Sequence, residues 1–149
     1  MKELLMTILF LSSFYCVQAK AVTQDEMEKI VTDRVVVVEN RKGYVVFDYK
    51  NIRMALVSDV EHDRMRIISP ITKYSELDLA KIEKIMGANF HSALDARYAS
   101  SNDVLYSAFI HPMSPLSEKE LTDALNQVAN LALTFGTTYT SGELSYGGK

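Results

Sequence analysis

The chain has one cysteine, three histidines and three prolines in 149 residues, and no block of like charge. Its single cysteine, Cys16, falls inside a segment with the three parts of a secretory signal: Lys2, an apolar stretch over residues 4–11, and the small residues Ala19 and Ala21 at two competing cleavage positions. The apolar stretch is shorter than the about 20 residues that a membrane span requires. Tyr15 stands where a lipid-modification motif ahead of Cys16 has a small residue. A signal peptide over residues 1–21, no stable membrane anchor, and a periplasmic or secreted product are the expectations. Cleavage after Ala19 or after Ala21 removes Cys16, and with it disulfides, thiol catalysis and zinc–thiolate sites.

The net charge of −3 is mixed in sign and supplies no basic face for nucleic acid. No nucleophile elbow occurs, and Gly147-Gly148 is too short for a phosphate loop. His91 and Asp95 are four residues apart and suit one helical face as metal ligands, but the rest of a ligand set is missing and Asn89-Phe90 reads as a helix end. His62 lies in a polar connection and His111 precedes Pro112, neither beside a nucleophile. No catalytic residue, cofactor or metal is therefore assigned. Because Ser–His–Asp triads assemble in space, a cryptic hydrolase stays open as a third reading.

What the chain does contain is strong local patterning. On a helix, residues 116–136 gather Leu121, Ala124, Leu125, Val128, Ala132 and Phe135 in one stripe, with Asp123, Asn126, Gln127, Asn130 and Thr134 opposite. The amide-rich side is either a contact face or ordinary wet surface. Ser117 and Glu120 form a capping box at its start, and Gly136 suits its end. The same opening recurs at Thr23 with Glu26, and at Ser75 with Asp78 ahead of a second helix over residues 76–88, whose apolar side is Leu79, Ile82, Ile85 and Met86. Between helices the period changes to two. Strands are predicted over 35–38, 44–49, 52–58, 64–69, 96–99 and 104–111, with Pro70 ending or edging the fourth. The last is apolar on both sides, as in a central strand. Short turns between them imply an α+β domain over residues 22–136: a mainly antiparallel sheet of about five strands with three helices on one face, then a flexible tail over 137–149.

Five residues are candidates for interaction. Arg64 and Arg66 point the same way on one strand and make a basic spot; Arg97, beside Asp95 and Tyr98, either pairs internally or reaches across an interface; Tyr106 lies on the last strand.

The run Asp63-Arg64-Met65-Arg66-Ile67, then Ser69-Pro70-Ile71, Asn89-Phe90, Asp95-Ala96-Arg97-Tyr98-Ala99 and Pro115-Leu116-Ser117, resembles the YbjN family of bacterial sensory-transduction regulators over residues 44–136. That resemblance implies a fold like that of type III secretion chaperones and a small binding or chaperone-like module. Those chaperones act in the cytoplasm, whereas this chain carries an export signal. The function expected from the whole is an exported, non-enzymatic protein-binding module whose partner is another protein or a second copy in a homodimer. The alternative is a small-ligand sensor of the cell envelope with a pocket between helices and sheet.

Overall fold

The computed structural model describes residues 22–143; the signal reading, Cys16 and residues 144–149 lie outside them. In chain order the elements are α1 (Gln24–Thr32), β1 (Val36–Arg41), β2 (Tyr44–Tyr49), β3 (Ile52–Asp59), β4 (Arg64–Lys73), a 3-10 turn (Tyr74–Glu76), α2 (Leu79–His91), β5 (Arg97–Ser101), β6 (Val104–His111) and α3 (Glu118–Leu133). The strands form one antiparallel sheet in the order β1-β2-β3-β4-β6-β5. The α+β expectation holds, with six strands where about five were expected.

Two hairpins close on non-glycine pairs with positive φ at both positions, Lys50-Asn51 (50° and 63°) and Asn102-Asp103 (48° and 62°). This twist matches that of the flanking strands, and the asparagine in each pair tolerates it. Alternation then sorts side chains onto two faces. Val45, Phe47, Met54, Leu56, Met65, Ile67, Leu105 and Phe109 are buried on one of them. There they meet α3, whose Leu121, Leu125 and Val128 are fully buried. Two strand hydroxyls fix the helix on this face: Ser107 donates to the Val128 carbonyl at 2.9 Å and Tyr98 to the Leu131 carbonyl at 2.8 Å. α1 packs beside α3 through buried Met27 and Val31.

The capping boxes at Thr23 and Ser117 are both formed. The third is not. Asp103, from the β5–β6 turn, accepts from both the backbone N–H and the hydroxyl of Ser75, at 2.8 Å each. Ser75 therefore sits in the 3-10 turn, and Asp78 caps α2 instead, accepting from the Lys81 N–H. The apolar side predicted for α2 is also only half right. Ile85 and Ala88 are buried, but Leu79 and Met86 face solvent.

Pro70 does not end β4, which continues to Lys73. The β3 ladder stops at Ile68, so no donor is required of Pro70 on that side, and the pairing with β6 shifts register just beyond it. α3 ends at Leu133 with Thr134 as its cap, three residues before Gly136, which does take a positive φ of 81°. Residues 137–143, the described part of the segment expected as a flexible tail, lie against the domain. Tyr139 and Ser141 are buried, and Ser92 donates to the Tyr139 carbonyl while the Leu94 N–H donates to the Ser141 hydroxyl, both at 2.6 Å. Tyr139, Tyr98 and Phe135 pack edge to face with centroids 5.7–6.2 Å apart.

Candidate protein-binding surface

With α1 and α3 on one face, the other face of the sheet carries the alternate residues of every strand. Register aligns them in rows. One row runs Val46–Ala55–Ile68–Ala108 across four strands, from β2 to β6. Its neighbour runs Tyr44–Val57–Arg66–Ile110. Single apolar residues on a surface are ordinary, but a contiguous apolar patch signals contact with something else. Two shallow recesses open here and share Arg66 and Ile68 at their junction. One, about 250 Å³, reaches to Tyr106, Ala99 and Ser100; the other, about 440 Å³, reaches to Arg64 and His62.

The polar groups around the patch are mostly engaged. Arg53 makes a two-point contact with Asp48, with Nε donating to Oδ1 at 2.6 Å. Arg41 pairs with Glu39 and lies 4.6 Å above the Tyr44 ring. Asp59 accepts from the His62 backbone and faces its Nδ1 at 2.8 Å, and these hydrogen bonds to His62 hold its carboxyl below the usual range. Arg64 donates to the Asp63 carbonyl. Arg66 has no partner among the described residues.

Of the five candidates, Arg64, Arg66 and Tyr106 thus fall on this open face. Arg97 shares the face by register, opposite Ala108, but its guanidinium bends back to the carbonyls of Leu94 and Ala96. Tyr98 points the other way. It is 6% exposed, and burial pushes its phenol above the ordinary value. It is therefore a core residue, and alternation explains why: Arg97 and Tyr98 are neighbours in sequence and cannot share a face.

The histidines are not brought together. His91 ends α2 edge-on to Phe90, with centroids 4.8 Å apart, while Asp95 is bound by the Gln127 side chain at 3.3 Å. His111 stacks on Phe109 and contacts the Pro112 carbonyl. Among the described residues no group of three or more His, Cys, Asp or Glu is placed to hold a metal ion. Asp63 is structural. It accepts from the backbone N–H groups of Met113 and Ser114 and from the Ser114 hydroxyl, joining the β3–β4 turn to the loop before α3.

Two further features escaped the sequence reading. α2 presents Leu79 (71% exposed), Met86 (63%) and Phe90 (81%) within about 40° of one another on its outer side. The two sheet edges also differ. At β5, the Asn89 side chain from α2 accepts the Tyr98 N–H at 2.7 Å and donates to the Tyr98 carbonyl at 3.1 Å, while Gln127 accepts the Ala96 N–H. At β1, no such partner is present among the described residues, and Val36, Val37 and Val38 are all exposed.

No family model and no curated protein matches the chain. Solved structures do. The chain matches a chain of the HopA1–SchA chaperone–effector complex with a TM-score of 0.56 and 10% identity, over 75% of this chain and 88% of that one. It also matches a chain of the Yersinia pestis type III secretion chaperone SycH in complex with a fragment of YscM2, with a TM-score of 0.56 and 15% identity, over 76% and 98%. The protein has a type III secretion chaperone-like fold. The six-stranded antiparallel sheet and the three helices described above are this chain's version of it.

Proposed function

We propose that this protein is an exported, non-enzymatic, chaperone-like module that binds a segment of another protein on the open face of its sheet. The observation that carries the reading is the apolar row Val46–Ala55–Ile68–Ala108, whose first three residues are only half-buried and which no helix among the described residues covers. The fold likeness supports it, since both similar chains belong to complexes of a chaperone with another protein. The spaced motifs that resemble the YbjN family support a binding module of the same kind. Export rests on the arrangement of Lys2, residues 4–11 and Ala19/Ala21. The alternative, a sensor with a pocket between helices and sheet, has less to rest on, because Phe47, Leu56, Ile67, Leu125 and Val128 fill that interval.

A homodimer formed through α2 belongs to the same proposal. Leu79, Met86 and Phe90 form an exposed apolar stripe on the outer side of α2, and an isologous pairing covers both copies at once.

The test is cross-linking in the native envelope fraction, comparing the wild type with an Ile68→Asp variant and identifying captured proteins by mass spectrometry. A defined set of proteins cross-linked to the wild type and lost from the variant supports the reading; identical sets defeat it. N-terminal sequencing of the same material finds Lys20 or Val22 if the signal is cleaved, and Met1 if it is not. Light scattering on Phe90→Glu reports a halved mass if α2 pairs the copies.

A further inference from the structure

We propose that the segment received by the open sheet face carries a carboxylate next to an apolar side chain, and that Arg66 reads this carboxylate. The inference rests on the open face being the docking site and names the chemistry of its occupant. The chain has six arginines, at positions 34, 41, 53, 64, 66 and 97. Arg34 pairs with Glu118, Arg41 with Glu39 and Arg53 with Asp48, while Arg64 and Arg97 donate to backbone carbonyls. Only Arg66 is without a partner among the described residues.

Its surroundings make this informative. Across the strands it faces Val57 on β3 and Ile110 on β6, and Ile68 lies two residues along its own strand. Arg64 lies two residues the other way, so the local charge is positive. The one carboxylate lining the recess, Asp59, is already held by His62. No acid among the described residues satisfies the guanidinium, whose planar fork suits two-point contact with a carboxylate. Beside it, the recess bounded by Ile68, Ala108 and Ile110 accepts an apolar side chain. At the far end of that recess the Tyr106 hydroxyl, which has no partner among the described residues, remains to bond the backbone of an extended segment. Tyr106 is four residues from Ile110 along β6, about 13 Å at strand spacing. The occupant is therefore an extended apolar segment anchored at one end by an anion. Its source is either an Asp or Glu side chain or a free chain terminus, since both present the same group.

The experiment exposes the purified protein to two pools of random nine-residue synthetic peptides, one with free C-termini and one with C-terminal amides, and sequences the retained peptides by mass spectrometry. The expected peptides hold a carboxylate within two residues of an aliphatic or aromatic residue. Enrichment in both pools assigns the anion to a side chain, and enrichment in the free-acid pool alone assigns it to a terminus. Arg66→Gln, at an exposed position without partners, keeps the fold, weakens the retained peptides by about tenfold or more and abolishes the acidic preference, while Arg66→Lys recovers part of it. Retention of apolar peptides with no acidic preference, or an unchanged selection by Arg66→Gln, overturns the inference and leaves the sheet-face reading standing. Unchanged retention by a folded Ile68→Asp variant overturns the sheet-face reading itself.

Discussion

The side chain of Asn89 stands in for a strand at the outer edge of β5, and its replacement gives a quantitative test of the fold. Its amide makes two hydrogen bonds to the backbone of Tyr98, at 2.7 and 3.1 Å, in a partly buried setting under α2. Asn89→Ala removes both. Each intramolecular bond contributes about 0.5–1.5 kcal/mol net, and stranding a backbone group away from water costs about 1–3 kcal/mol. Water reaches this edge in part, so the total expected is about 2–4 kcal/mol, or a fall in Tm on the order of 10 °C for a domain of this size. Asn89→Asp separates the two bonds. At neutral pH its carboxylate still accepts the Tyr98 N–H but has nothing to donate to the carbonyl, so its loss falls between wild type and alanine. Urea denaturation gives the magnitude. Hydrogen exchange at the Tyr98 amide gives the location, since that proton loses protection in Asn89→Ala and keeps it in Asn89→Asp. Equal denaturation midpoints for all three proteins, with the Tyr98 amide protected throughout, would refute the role given to Asn89.

Leu125→Ala, at a fully buried position in the middle of α3, costs about 2–5 kcal/mol by denaturant titration. Asn126→Ala costs only about 0.5–1.5 kcal/mol, for the bond it accepts from the Tyr49 hydroxyl at 3.0 Å. Acid unfolding has a definite sign. Asp63 and Glu120 are held below their usual values, chiefly by side-chain hydrogen bonds from Ser114 and Ser117, and Asp78 chiefly by the Lys81 backbone N–H. A carboxyl with a depressed folded value stabilises the fold above its unfolded value, about 4, and loses that contribution as pH falls through the folded one. Stability therefore drops below about pH 4. Asp63→Asn, which keeps an acceptor for the Met113 and Ser114 N–H groups, flattens the acid limb measured by circular dichroism.

Much of this architecture is local and was legible for that reason. A capping box needs only residues three apart, so Thr23 and Ser117 announced α1 and α3, and alternation sorted β3 and β4 into buried and exposed halves. Ser75 misled because its partner, Asp103, is 28 residues away on a turn that local pattern does not place. Gln127 shows the limit most clearly. Helical periodicity assigns it to the polar side of α3, yet it is buried, and its amide oxygen accepts from the N–H groups of Asp95 and Ala96 at 2.8 and 3.1 Å. Asn130 likewise accepts from Lys50 and donates to the Ser141 carbonyl. The amide-rich side, expected as a contact face or wet surface, instead ties hairpin, strand entry and C-terminal segment to the helix. Arg66 and Tyr106 were legible as exposed strand residues, but their shared recess depends on the pairing of β4 with β6, which register alone reveals.

The unequal edges of the sheet bear on how this protein behaves when concentrated. A sheet with two open edges extends without limit, because each added copy presents a fresh edge to the next. Here Asn89 occupies the β5 edge at Tyr98 and Gln127 binds the Ala96 N–H just before that strand, whereas the valine-rich β1 edge has no such partner among the described residues. Two copies that meet β1 to β1 turn outward the β5 edges, each blocked at Tyr98 by Asn89. Strand addition through the β1 edge alone stops at a symmetric pair.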